Sequence, residues 1–150
     1  MRIVLIGQAR FGEEVLKALT DRGEEVVAVY APADAQGRPE LLKVAAEKQG
    51  VPVFQPARMR DPAVYTDYIK LKPDLNVMAF VTDILPLTIL NHPELGTIQY
   101  HPSLLPKHRG GSAINWTLIN GETRTGVTIF WPDKGIDTGP ILLQKETDIS

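Results

Sequence analysis

Cysteine is absent from the chain, which excludes a disulfide-stapled scaffold, a thiolate metal site and a cysteine nucleophile. A basic excess is absent too. The 16 Lys and Arg stand against 18 Asp and Glu, a formal net charge of −2, so the electrostatic footprint of a general nucleic-acid reader is missing. No apolar run approaches the roughly 20 residues of a membrane-spanning helix. The run that follows Met1-Arg2 and ends at Gly7 is too short for the core of a signal peptide. No internal repeat or low-complexity tract is visible, and no His/Asp/Glu spacing resembles a metal site. What is present is 150 residues, 43% hydrophobic and 23% charged, the length and mixture of one soluble domain. Such a chain can bury about two-thirds of its unfolded surface without staples. The expectation is a cytoplasmic protein with no membrane partner and no general nucleic-acid binding.

Glycine and proline punctuate the apolar runs. Ile3 to Ile6 reads as a buried strand ending at Gly7. Phe11, Val15, Ala18 and Leu19 fall at helical spacing, Asp21-Arg22-Gly23 closes that helix, and Val26 to Tyr30 begins a second strand. Strand, helix and strand within thirty residues make a βαβ unit. Helices are expected over Leu41–Lys48, Ala63–Leu71 and Gly111–Ile119, with a helical turn near Pro86–Leu90. Strands are expected at Val51–Phe54, Leu75–Val81, Thr97–His101, Thr125–Trp131 and Ile141–Lys145. Pro52 suits the third strand to a sheet edge, where no N–H is needed. The alternation predicts an α/β fold, a doubly wound and mainly parallel Rossmann-like sheet. In such sheets ligands sit outside the carboxyl ends of the strands.

The first βα turn, Gly7-Gln8-Ala9-Arg10-Phe11-Gly12, departs from G-x-G-x-x-G at Ala9, whose methyl obstructs a pyrophosphate, and no acid ends the second strand. A tight turn facing a smaller anion is the better reading than a dinucleotide site. The richer stretch runs from Gln99 to Gly111. His101 belongs at the carboxyl end of a strand, Gln99 shares its face, and Tyr100 points the other way. An imidazole and a carboxamide aimed into one crevice supply a proton carrier and an oxyanion donor, and Pro102 and Pro106 stiffen the loop between. A histidine satisfied by backbone is the plainer alternative. A second loop, Asp133 to Gly139, holds a turn residue in Asp133 and a different kind of acid in Asp137. A carboxylate beside His101 would favour its protonated ring and order a water. Trp116 and Trp131 read as core or edge packing, His92 as an exposed loop residue. Lys107-His108-Arg109 reads as a solvated basic face, or as a contact for an anionic tail or substrate phosphate.

His101-Pro-Ser-Leu-Leu-Pro106, Arg109-Gly110 and Gly135-Ile-Asp-Thr-Gly139 resemble the two signatures of the folate-dependent formyltransferase family, and the resemblance runs the length of the chain. Within that family the pattern is most similar to the amino-terminal hydrolase domain of 10-formyltetrahydrofolate dehydrogenases, through Ser112–Ile119, Ile129–Trp131 and Leu142–Glu146. Asn115-Trp116 and Asn120–Glu122 also resemble sugar-nucleotide formyltransferases. The resemblance implies a formyltransferase fold over 1–150 and an enzyme that cleaves the formyl group from 10-formyltetrahydrofolate. Cleavage would be by hydrolysis to formate and tetrahydrofolate, or by transfer to an amine acceptor; a folate-binding module without catalysis is the alternative.

By resemblance, His101 and Asp137 are the catalytic pair, with Gln99 where family transferases carry Asn. The segment Val81, Asp83, Ile84 and Leu85 contacts the pteridine. Ser103, Leu104, Leu105 and Pro106 form a folate-contacting loop, joined by Gly135 and Ile136. 10-Formyltetrahydrofolate is the formyl donor, and no metal is implied. The family's catalytic domain runs on beyond the strand near Lys145, so a longer parent chain with a carboxyl-terminal domain is expected. A missing covering helix would leave apolar surface exposed.

Overall fold

The computed structural model describes residues 1–150, which fall into two compact units, Met1–Thr97 and Ile98–Ser150. In the first unit β1 (Arg2–Gly7), β2 (Glu25–Tyr30), β3 (Val53–Phe54) and β4 (Leu75–Ala79) pair in parallel in the order β3-β2-β1-β4. Helices α1 (Ala9–Asp21), α2 (Leu41–Lys48), α3 (Pro62–Ile69) and α4 (Leu87–Leu90) connect them. Successive strand residues point to opposite faces, and the two apolar clusters divide accordingly. Val4, Ile6, Ala28, Tyr30 and Met78 pack with Val64 and Tyr68 of α3 and with Ile89 and Leu90 of α4. Leu5, Val29 and Ala79 pack with Leu16 of α1 and with Leu42 and Ala46 of α2. Helices on both faces of a parallel sheet are the doubly wound arrangement expected. Gly7 is required at the end of β1, because a Cβ there would lie 2.3 Å from the carbonyl oxygen of Ala79.

Of the buried side-chain polar atoms in this unit, only the Tyr30 hydroxyl has no hydrogen-bond partner. Asn76, fully buried, accepts from the Tyr68 hydroxyl at 2.7 Å and donates to Ile89 O and Thr97 Oγ1, each at 3.0 Å. Burial raises the Tyr68 phenol well above its usual range. Tyr30 stacks on Phe54 with centroids 4.9 Å apart, and burial pushes its phenol up to about 12.

In the second unit β5 (Thr97–His101), β6 (Arg124–Phe130) and β7 (Ile141–Asp148) are antiparallel in the order β5-β6-β7, and α5 (Ala113–Ile119) precedes β6. Pairing within this unit is antiparallel.

Several expectations are corrected. Gly12 and Leu16, not Ala18, are the buried residues of α1; Ala18 is exposed. The fourth strand stops at Ala79 because Phe80 turns to φ +60, and α5 starts at Ala113 because Ser112 sits at φ +59. Trp116 and Trp131 are 53% and 38% exposed rather than core residues. Helix α5 buries Ala113 and Thr117, one turn apart, which directs Trp116 outward with Ile114, Leu118 and Ile119. Trp131 lies just beyond β6, and its N–H donates to Pro140 O. Ile141, Leu142 and Leu143 of β7 are also exposed, so apolar surface is open on this unit as anticipated.

The first βα turn does face an anion, and that anion belongs to the chain. Glu40 Oε1 accepts the Ala9 N–H, while Oε2 accepts Leu42 N–H at 2.7 Å and Lys43 N–H at 3.4 Å, capping α2. A free phosphate is not needed there. No helix is long and apolar enough to cross a membrane.

Candidate active site

His101 closes β5, paired with Thr128 of β6, and is 6% exposed. Both ring nitrogens face acceptors. Nδ1 lies 3.3 Å from Asp137 Oδ2, and Nε2 lies 2.6 Å from the backbone oxygen of His108. The ring offers an N–H to each acceptor only when both nitrogens carry hydrogen. Asp137 Oδ2 also accepts the Gly110 N–H at 2.7 Å, so one carboxylate oxygen is held from two directions while Oδ1 makes no hydrogen bond. The Asp137 side chain is 10% exposed, and its backbone takes φ +53. Strained backbone of this kind gathers at functional sites.

Each loop has its own scaffold. Asp133 Oδ1 accepts from Thr138 Oγ1 at 2.7 Å and Gly135 N–H at 2.8 Å, and those bonds hold its carboxyl below the usual range. This is the turn expected of Asp133, and it presents Asp137 four residues on. The loop after His101 is pegged by Thr128, which is fully buried. The Thr128 hydroxyl donates to Ser103 O at 2.7 Å and accepts from Leu105 N–H at 3.2 Å and Gln144 Nε2 at 2.8 Å. Gln144 also reaches Leu105 O at 2.9 Å, and Ser103 Oγ donates to Lys107 O at 2.7 Å. These bonds use the full capacity of one hydroxyl.

The structure thus brings His101 and Asp137 together. Gln99 is half-buried on the same strand, and its amide makes no hydrogen bond. Ser103 and Leu105 are buried, Leu104 is half-buried and Pro106 is exposed. Gly135 is exposed, and Ile136 is 72% exposed. In the first unit, a cavity of about 300 Å³ lies at the carboxyl ends of β1, β2 and β4, lined by Gly7, Tyr30, Met59, Phe80, Val81 and Asp83 among others. Ile84 and Leu85 do not line it. Ile84 is 75% exposed, and Leu85 is buried in the apolar cluster with Ile89. The Asp83 carboxylate is spent on Met59 N–H and Ile84 N–H.

The solvated-face reading of Lys107-His108-Arg109 is corrected at its centre. His108 Nε2 pairs with Glu122 Oε2 at 2.6 Å, and the His108 side chain is 16% exposed. His92 is exposed as expected, but its ring meets Tyr65 and Tyr68 edge-on. Thr128, Gln144, His108 and Glu122 were not singled out from sequence. Only the polar Thr128 at a core position of a strand, between Gly126 and Phe130, carried a signal. No group of three or more His, Cys, Asp or Glu is placed to hold a metal.

A family model described as formyl transferase matches residues 1–150. The chain belongs to the formyl transferase family. It is 49% identical over 154 residues to the cytosolic 10-formyltetrahydrofolate dehydrogenase of Mus musculus, an overlap of 99% of this chain and 17% of that protein. It is 47% identical over 153 residues to methionyl-tRNA formyltransferase of Syntrophus aciditrophicus, covering 98% of this chain and 49% of that one. Among solved structures, phosphoribosylglycinamide formyltransferase from Bacillus halodurans superposes with a TM-score of 0.84 at 25% identity, covering 100% of this chain and 81% of that one. The chain therefore spans from 17% to 49% of the length of these two curated relatives. Its α/β architecture is that of the formyl transferase fold.

Proposed function

We propose that residues 1–150 form the formyl-handling catalytic domain of a cytoplasmic enzyme, part of a longer parent chain, that cleaves 10-formyltetrahydrofolate to formate and tetrahydrofolate. The observation that carries the reading is the line Asp137 carboxylate, His101 ring, carbonyl oxygen, with spacings of 3.3 Å and 2.6 Å. The imidazole N–H that donates to the His108 carbonyl is placed to donate to a formyl oxygen that displaces it.

Water attacks the formyl carbon, and the carbonyl π pair moves to the oxygen, which accepts a hydrogen bond from the His101 N–H. The free Oδ1 of Asp137 takes the proton from the attacking water. The tetrahedral intermediate collapses, the C–N10 bond breaks, and His101 gives its proton to departing N10. Gln99, on the same face of β5 with an unused amide, adds a second hydrogen bond to the oxyanion. By family resemblance Val81 and Asp83, at the first-unit cavity, contact the pteridine, whereas Ile84 and Leu85 lie outside that cavity. Ser103, Leu104, Leu105, Pro106, Gly135 and Ile136 complete the folate-contacting loops. No metal takes part.

Transfer of the formyl group to an amine is the second reading, favoured by the 47% identity to a methionyl-tRNA formyltransferase. Formate release from 10-formyltetrahydrofolate, measured with and without candidate amines, separates the two. Equal release without amine supports hydrolysis. His101→Ala is expected to lower turnover by roughly 100- to 1,000-fold; a variant that keeps most of its activity defeats the assignment.

A further inference from the structure

The position of the His101 ring depends on a residue that does not touch it. The backbone oxygen capping Nε2 belongs to His108, which takes φ +54. That left-handed conformation is uncommon outside glycine, although histidine is among the side chains that adopt it more often, and the surroundings help to hold it. The His108 side chain supplies the restraint, with Nε2 lying 2.6 Å from Glu122 Oε2 and side chains only 16% and 28% exposed. Glu122 is anchored in turn, because its N–H donates to the carbonyl of Thr117 at 3.1 Å, just past the end of α5. Lys107 also approaches Glu122, at 3.9 Å, but its side chain is 69% exposed, and such surface pairs contribute little.

We propose that Glu122, acting through His108, is a positioning residue for His101. Its carboxylate clamps the His108 ring, the clamp holds the backbone at φ +54, and the carbonyl so placed fixes one end of the His101 ring while Asp137 fixes the other. The kinetic arm rests on the formyl-cleavage reading; the geometric claim does not. Without the clamp, His108 relaxes toward a right-handed or extended backbone, its carbonyl turns away, and His101 keeps Asp137 alone, about which the ring can swing. A carbonyl oxygen on Nε2 marks the direction in which that N–H donates. The clamp therefore sets the direction of the ring before any substrate arrives, and a formyl oxygen takes over the Nε2 N–H by displacing the His108 carbonyl.

The test records the ring-nitrogen resonances of His101 on the free protein, assigned with His101→Asn, in Glu122→Ala, Glu122→Gln and Lys107→Gln. Glu122→Ala is expected to shift both His101 ring signals. Glu122→Gln restores most of that shift, because the amide oxygen still accepts the His108 N–H. Lys107→Gln leaves the signals in place. In turnover, Glu122→Ala is expected to lose roughly 10- to 100-fold in kcat with KM within about twofold, and Glu122→Gln to recover most of it. His101 signals that stay in place while those of His108 move overturn the proposal, as does a loss confined to KM. If Glu122→Ala does not fold, His108→Phe replaces it: shifted His101 signals support the clamp, and unshifted ones overturn it. Absence of turnover in the unaltered protein defeats the formyl reading alone, since the ring signals still decide the clamp.

Discussion

Replacing Thr128 by valine keeps the volume and shape of a fully buried side chain and deletes only its hydroxyl. That hydroxyl makes one bond to Ser103 O and receives two, from Leu105 N–H and Gln144 Nε2. Gln144 retains Leu105 O, so its loss is partial. The buried Leu105 N–H loses its partner, which costs about 1–3 kcal/mol, and the two other bonds are each worth about 0.5–1.5 kcal/mol. Because valine leaves no cavity, the expected loss is about 2–6 kcal/mol, a large share of the roughly 5–15 kcal/mol by which domains are stable. For a chain of this length that corresponds to roughly 4–24 °C in Tm. Urea unfolding followed by circular dichroism reads it as a lowered midpoint at unchanged slope. Thr128→Ser, which keeps the hydroxyl and gives up a methyl, is the control and should lose only about 1 kcal/mol. A valine variant within about 0.5 kcal/mol of the parent, or serine and valine variants of equal stability, would refute the view that this hydroxyl pegs the His101 loop.

Two further perturbations have definite signs. A Cβ at Gly139 would lie 1.6 Å from the carbonyl oxygen of Trp131, so Gly139→Ala must displace backbone beside Asp137. Turnover should fall at least about tenfold with a smaller relative change in KM, and a fully active variant would show that this loop accommodates the methyl. The Asp34 carboxyl is held at about 2 by the Lys43 ammonium, the Glu40 N–H and the Gln55 amide. Its folded value lies below the unfolded one, so its contribution is present above about pH 4 and is lost as pH falls toward about 2. Asp34→Asn should flatten that part of the acid unfolding curve, and an unchanged acid limb would contradict the assignment.

The legible part of the molecule was the part written in local pattern. The β-branched run at Ile3–Ile6, the turn at Asp21–Gly23 and Pro52 just before the edge strand Val53–Phe54 each announce their element within a few residues, although that strand starts two residues later than expected. Thr97–His101 was bounded correctly because glycine precedes it and proline follows. Asp137 stood out from Asp133 by its neighbours, and the structure brings it within 3.3 Å of His101. The illegible part is made at longer range. Nothing near Glu40 says that its carboxylate will reach Ala9, 31 residues away. Nothing in Lys107-His108-Arg109 distinguishes the middle residue, because its partner Glu122 arrives only when α5 folds back. The tryptophans misled for a related reason: helical spacing fixes a face, but Ala113 and Thr117 had already claimed the buried one.

Glu40 has a consequence for what this scaffold ignores. The mouth of a first βα turn is where α/β proteins commonly seat a phosphate, and here a side chain of the same molecule has moved in permanently, tethered by the helix it caps. A tethered occupant is present at an effective concentration that no dissolved competitor readily matches. Phosphorylated metabolites and nucleotides crowding around the domain would find that berth filled, whatever their abundance. The tenancy is also mutual: evicting Glu40 would uncap α2 as well as vacate the turn, so competence to bind an anion there could be regained only by loosening a helix of the core.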